Sequence, residues 1–390
     1  MLRVAGPLHR TKRADMEFEF DDNLSAVRDL SESIFSAKSG VDRLREVEGA
    51  GGFDAELWKL LADSDVLGIP LPEEVGGAGL GMLGLAAVLE QQGRRVAQVP
   101  LWSVISTAAL PIAEFGSTEQ KASWLPGLLD GSVIVTGAFD TGYNAETAVR
   151  AEPAPDGWVL SGRVDSVSAA EFAAALVVPV TMPDGSVTVM IVPTDRDALV
   201  RTPLAVTNRE SNSAVQFDGV AVTAADALPA DGAVVRDWTL RRARVALAAL
   251  ATGVCEEALA MTAKYTSERV QFGRPLSTNQ AVAVRAADAY LDTESTRLTT
   301  HRAAWLMDSG VESEAEAAAL VAKWWASRGG LRVVHATQHM HGGIGADVDY
   351  PIHRYFLWGR QIAFTLGSAG AIGAELADQL EIRAQIGASA

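Results

Sequence analysis

The 390-residue chain has one cysteine, Cys255. A single thiol excludes a disulfide framework and any cysteine-held metal cluster. Its six histidines show no metal-ligand spacing with acids, so no metal site is expected. Positive charge is scarce: 33 Lys and Arg face 49 Asp and Glu, a net charge of −16. That balance excludes a phosphate-reading surface over most of the chain, and no nucleic-acid partner is expected; a local basic patch survives the argument. Long apolar runs are missing. Ala243 to Ala251, interrupted by Arg244, and Ala173 to Val180 are too short to span a bilayer. No secretory apolar segment is seen, so neither a membrane nor export is expected and the chain reads as cytoplasmic. No glycine-rich loop joins a strand to a helix, which removes a Rossmann reading. Internal repeats and low-complexity tracts are absent as well.

What is present is an ordinary globular composition, 48% hydrophobic and 21% charged, with length for about two or three domains. Residues 1–15 stand apart, with Arg3, Arg10, Lys12 and Arg13 and no acid before Asp15. They read as a disordered tail, with a transit-like segment as the other reading. Met16 opens MEFEFDD, which looks like a natural start.

Three zones follow, giving an α+β multidomain architecture. Residues 16–130 form a helical domain. Leu24 to Val47 and Phe53 to Leu61 carry apolar stripes at helical spacing. LGIPLPEEVGGAGLG (67–81) is a Pro/Gly loop, which must break any helix. Helical pattern resumes over Leu83 to Gln92 and Ser103 to Phe115. Ser117 then caps a segment to Leu129, with Gln120 placed for a capping box.

Residues 131–235 change character. Val133 to Phe139, Trp158 to Gly162, Ala175 to Val180, Val187 to Pro193 and Ala214 to Val222 are short apolar or alternating runs separated by turn clusters. This predicts a small antiparallel β barrel or sandwich. Residues 236–390 are helical again. Trp238 to Arg269 has one interior glycine, Gly253, and no proline. Asn279 to Met307, Ser313 to Met340 and Pro351 to Gln385 complete an expected antiparallel four-helix bundle.

Two motifs punctuate this last zone. One is ERVQFGRPLSTNQAV, with Arg269, Gln271, Phe272, Gly273, Pro275 and Gln280. The other is HMHGGIGADVDYPIHRYF, with His339, His341, Gly342, Gly343, Gly345, Asp349, Pro351 and His353. Taken singly, Arg269 reads as a surface ion-pair former, Phe272 as core and the glycine pair as a helix-ending turn. His341 and His353 read as structural hydrogen-bonders.

On these two motifs, with FDAELWKLLADSDVLGIPLPEEVGGAGLG (53–81) and FGSTEQKASWLPGLLDG (115–131) in the same order, the sequence resembles the acyl-CoA dehydrogenase superfamily. The resemblance covers roughly residues 20 to 385. It implies an N-terminal helical domain, a middle β domain and a helical bundle. It also implies FAD-dependent α,β-desaturation of an acyl-CoA thioester, with a glutamate as base and an electron-transfer flavoprotein as acceptor.

In the family the FAD is shared between subunits. The resemblance assigns the adenine and pyrophosphate end to the bundle of the neighbouring subunit. The positions in this chain that match are Arg269, Gln271, Phe272, Gln280, His339, Gly342 and Gly343, with His339 standing where glutamine is usual. Arg269 is suited to meet a pyrophosphate oxygen as a forked donor.

The half that faces the flavin ring departs from the family. The Thr-Glu-Pro-x-x-Gly-Ser-Asp segment falls near GAFDTGYN (137–144), where only Gly142 is a remnant. The lysine-aromatic-Ile-Thr/Ser-Asn segment falls on VDSVSA (164–169), where Ser168 alone matches. The two positions used for the base hold Leu366 and Ala243, so no catalytic residue is assigned. Glu256, Glu257 and Glu268 on the same helix read as solvated or interface charges.

Retention of one half and loss of the other matches the non-catalytic β subunits of heterotetrameric (α2β2) dehydrogenases acting on steroid side-chain CoA thioesters. AELWKLL, HGGIGADVDYPIHRYFL and FTLGSAG carry that closer similarity. The resemblance thus implies a catalytic partner subunit that holds most of the acyl-CoA. Three alternatives stay open: a self-sufficient homomeric dehydrogenase with an unusual base, a flavin-free binding scaffold, and a relative doing oxygen chemistry.

Overall fold

The computed structural model describes residues 20–140 and 147–387. The tail at 1–15 and the remnant Gly142 lie outside the described residues.

The N-terminal part is helical: α1 (Asp22–Lys38), α2 (Val41–Gly49), α3 (Ala55–Asp63), α4 (Gly81–Arg95), α5 (Leu101–Val104), α6 (Leu110–Phe115) and α7 (Thr118–Leu129). Leu24 to Val47 is two helices, parted at Ser39–Gly40. Asp21 accepts the Leu24 amide and Asp54 the Leu57 amide, satisfying donors that a helix start leaves bare. The capping box on α7 forms as expected, Gln120 N to Ser117 Oγ at 3.2 Å and Ser117 N to Gln120 Oε1 at 3.0 Å. A π-helical turn, Ile105–Ala109, joins α5 to α6.

The middle part is a curled seven-stranded sheet in the order β1-β4-β2-β3-β7-β6, with β5 paired to the other side of β4. Its strands are β1 (Val135–Gly137), β2 (Val149–Ala154), β3 (Gly157–Ser168), β4 (Ala175–Thr181), β5 (Val187–Pro193), β6 (Leu199–Pro203) and β7 (Asn212–Val222). The expected all-antiparallel pairing needs correction: β4 runs parallel to both β1 and β2. One edge of β4 serves both, β1 along Ala175–Val177 and β2 along Val180–Thr181, and the long excursion between β1 and β4 permits the parallel return. The β3 strand runs on to Ser168 through two register shifts against β7, so VDSVS lies on the sheet.

The C-terminal part holds α8 (Gly232–Glu268), a hairpin of β8 (Val270–Gln271) and β9 (Arg274–Pro275), α9 (Gln280–Asp308), α10 (Glu312–Met340), α11 (Ile352–Phe364) and α12 (Ala369–Gly387). The helix expected over Pro351 to Gln385 is therefore two, and the domain has five α-helices among the described residues. Leu366 and Gly367 adopt φ of 55° and 115°, a left-handed pair that no helix continues through.

Helix α8 is the axis of the molecule. It is long and apolar enough to cross a bilayer, unlike the uninterrupted runs in the sequence, but 72% of its most apolar window is buried inside the fold. At its middle it crosses α4 with two glycines in contact. A Cβ on Gly253 would stand 1.9 Å from the Glu90 carbonyl oxygen, and one on Gly93 2.2 Å from that of Leu250. A helix-interior glycine costs about 1 kcal/mol relative to alanine; here it lets two backbones touch.

A candidate nucleotide cleft and a closed chamber

Helix α8 ends at Glu268, and the amide of Arg269 just beyond it closes on the Tyr265 carbonyl at 2.8 Å. The chain then turns through Phe272 and Gly273, both left-handed at φ 55° and 79°, as a two-residue hairpin turn requires. Leu276 N bonds back to Arg269 O at 2.9 Å, and Asn279 caps the start of α9 through the Ala281 amide. Opposite, α10 ends at Met340 and Gly342 takes φ 65°, a left-handed position that suits glycine.

These ends enclose an open cleft of about 1130 Å³. Arg269, Gln271, Gln280, His339, Gly342 and Gly343 all line it. A Cβ built on Gly342 or Gly343 would meet nothing within 4 Å, so the cradle lies open on the cleft side. Phe272 does not line it. It stands on the hairpin tip, 94% exposed, which also corrects the reading of this phenylalanine as core.

Among the other residues that line the cleft, three bear on its chemistry. Tyr265 stacks on His341 with centroids 4.6 Å apart. His341 is buried and donates from Nδ1 to the Thr337 carbonyl at 2.8 Å. Its Nε2 is buried with no hydrogen-bond partner among the described residues, and burial holds its pKa below the usual histidine value. Arg285 is the third. The signal for it was helical spacing alone: Ala281, Val284, Arg285 and Asp288 fall at i, i+3, i+4 and i+7 and all face the cleft. His353, outside the cleft, donates from Nδ1 to the Tyr350 carbonyl at 2.7 Å, a structural bond of the kind expected.

The cleft suits the nucleotide end of a dinucleotide. Among the described residues, neither Arg269 nor Arg285 has a carboxylate at ion-pair distance, whereas neighbouring Arg332 is taken by Asp292. Two uncompensated guanidinium groups beside bare glycines favour an anion. Leu276, Val282, Val284 and Ile344 give it an apolar wall for a flat base.

The second site lies between the sheet and the core of the bundle. Thr107, Gly137, Phe139, Asp140, Ser166, Ser168, Glu210, Asn212 and Leu366 line a chamber of about 30 Å³. That is room for a water or two, where small-molecule sites typically need roughly 300 Å³ or more. Several of its polar groups bond one another: Gly137 N to Thr107 Oγ1 at 2.8 Å, Ser166 Oγ to Asn212 Oδ1 at 3.1 Å, and Asn208 Nδ2 to Glu210 Oε2 at 2.5 Å. Burial pushes the Glu210 carboxyl up to about 8 against that last bond, so it is largely protonated at neutral pH. Leu366 is buried, and its amide points to Asp140 Oδ2 at 3.5 Å. Ala243 is fully buried.

The acids further along α8 are not simply solvated. Glu257 is part-buried against Arg94 at 3.3 Å and Arg95 at 3.6 Å. Burial, reinforced by Glu90, pushes Glu256 up to about 7. Both belong to a charge cluster where α4 meets α8, and the docking of α4 is what removes them from water; Glu268 remains exposed. Among the described residues no group of acids, histidines or cysteines could hold a metal ion.

Comparison with known proteins agrees with this architecture. The family description "Acyl-CoA dehydrogenase, N-terminal domain" matches residues 23–132, and "Acyl-CoA dehydrogenase, C-terminal domain" matches residues 230–379. Acyl-CoA dehydrogenase FadE27 of Mycobacterium tuberculosis (strain ATCC 25618 / H37Rv) is 35% identical, over 93% of this chain and 99% of its own length. The Tcur3481-Tcur3483 steroid ACAD, solved as a variant, is 44% identical with a TM-score of 0.87, over 93% of this chain and 99% of that one. The ChsE4-ChsE5 complex from Mycobacterium tuberculosis contains a chain 34% identical with a TM-score of 0.88, over 94% of this chain and 99% of that one.

Proposed function

The chain belongs to the acyl-CoA dehydrogenase family, and from that premise we propose that it is the non-catalytic subunit of a heteromeric, FAD-dependent acyl-CoA dehydrogenase. It completes a catalytic partner's flavin site in trans. One observation carries the reading: the cleft for a nucleotide tail is open at about 1130 Å³, while the space beside Ser166, Ser168 and Asn212 on the ring side holds only about 30 Å³.

When bound, a flavin supplies hydride acceptance, and the protein supplies position and electrostatics. In this chain Arg269 would hold a diphosphate oxygen, and Gly342 and Gly343 would admit it to the backbone. Gln271 and Gln280 offer amides to the nucleotide. Phe272 packs across the subunit boundary, which gives a purpose to a large apolar side chain left in water. Desaturation itself needs a base beside the α-carbon and a donor to the thioester oxygen. With Leu366 and Ala243 at the two base positions, this chain contributes no such group, and the acyl-CoA is held mainly by the partner. The substrate is a bulky steroid side-chain CoA thioester, supported by the relative described as a steroid ACAD and by the strings that carry the closer similarity. Electrons leave to an electron-transfer flavoprotein.

The test is expression alone and together with a candidate dehydrogenase partner, recording native mass and flavin content. The expected result is little flavin alone and one FAD for each pair of unlike chains together. A yellow homo-oligomer that desaturates an acyl-CoA unaided would overturn the reading.

A further inference from the structure

Arg285 and His339 meet across the cleft, from α9 and from the last turn of α10, with Nη1 and Nδ1 2.5 Å apart. A guanidinium has only donors, so His339 Nδ1 must be the acceptor. That fixes the neutral tautomer and leaves Nε2 carrying the hydrogen. The contact therefore spends one donor of Arg285 to orient the group, and leaves its other donors and His339 Nε2–H for something else.

The pair also occupies a boundary. Both residues line the nucleotide cleft and a neighbouring cleft of about 970 Å³. In that second cleft Asp292 is taken up by Arg332. Asp288 lines both clefts without reaching ion-pair distance of Arg285 among the described residues. Arg285 thus keeps an uncompensated charge while being held in place by a neutral ring. Such an arrangement is costly to assemble for no ligand: a long exposed side chain loses rotamer freedom for one hydrogen bond.

We infer that Arg285, oriented by His339, is a second cationic contact for the diphosphate of the nucleotide in this cleft, working with Arg269. The inference rests on the nucleotide reading of the cleft above. With His339 where the family usually has glutamine, the amide is replaced by a ring N–H plus a guanidinium fork.

Calorimetric titration of the full chain with ADP and with adenosine, to millimolar concentration, tests this. Arg285→Ala should weaken ADP binding about tenfold or more and leave adenosine binding unchanged, since only ADP carries the diphosphate. Arg285→Lys should recover part of the loss, because a point charge lacks the fork. The circular dichroism of both variants should match the parent. If Arg269→Ala weakens ADP binding and Arg285→Ala does not, this inference fails and the nucleotide reading stands. If the parent chain binds neither ligand and acquires no FAD beside a partner, both fail.

Discussion

Gly93 and Gly253 face each other where α4 crosses α8, and a Cβ on either would strike the backbone of the other helix, the Leu250 carbonyl oxygen for Gly93 and the Glu90 carbonyl oxygen for Gly253. The N-terminal helices are fixed to the bundle through this crossing. Gly253→Ala should therefore destabilise the chain by roughly 1–3 kcal/mol or more, because an added methyl meets backbone that cannot step aside. A drop in the urea midpoint of unfolding checks this; an unchanged midpoint would show that the crossing is loose.

Gly343 gives the opposite expectation. A Cβ there meets nothing within 4 Å, so Gly343→Ala should leave the melting temperature within about a degree or two, as surface changes of roughly 0.5 kcal/mol or less do. Flavin retention in the co-purified complex should still fall, since the methyl enters the phosphate cradle. Arg269→Ala should lower retention further, again without unfolding. Retention unchanged in both variants would remove the cleft from the flavin site.

Phe272 is 94% exposed on its hairpin. Phe272→Ser should leave the isolated chain as stable as before and weaken the complex with the partner. Native mass against concentration reads the second effect, thermal unfolding the first. A lower melting temperature for the lone chain would mean that the phenylalanine packs at home.

Glu210 sets a pH dependence. Its pKa rises from the ordinary glutamate value of 4.5 to about 8 in the fold, through burial. The folded state then binds more protons than the unfolded one across that interval. Its contribution to stability is fully present below about pH 4.5 and is lost as pH rises through 8. Glu210→Gln should match the parent near pH 4.5 and exceed it at pH 9. Parallel pH curves for the two proteins would contradict the assignment.

Under the proposed function, a carboxyl placed at position 366 should not confer catalysis. Leu366→Glu puts an acid beside Asp140, on the buried wall between that chamber and a neighbouring cleft of about 630 Å³. The expected result is a loss of roughly 1–3 kcal/mol of stability and no dye reduction with any acyl-CoA by the lone chain. Activity in this variant would show that the chamber opens for flavin.

Much of the fold was legible locally. The Ser117 capping box, the long α8 pattern and the strand at Val187–Pro193 follow from short-range rules, and the structure has them. The parallel pairings of β4 were not legible, because an apolar run looks the same whichever neighbour it takes. Nor was the break at Leu366–Gly367: leucine is a good helix former, and its left-handed φ is imposed by the packing around Asp140 and Arg244. In the cleft, Arg269, Gln280 and the glycine pair could be found because a motif marks them. Arg285 could not, because an arginine on a polar helix face acquires meaning only from what stands opposite.

By itself the sequence determined the composition of the core, the periods of helix and strand, and the motif residues on which a family resemblance rests, since each is a property of neighbours along the chain. Only the tertiary structure decided which of those residues share a cleft, that this cleft is wide while the chamber beside Ser166 and Asn212 is narrow, and that Glu210 is driven toward its protonated form. Volumes and desolvation are set by groups remote in sequence, here the π-helical turn, β3, β7, α8 and α11 around one chamber, and no local pattern encodes the distance between them.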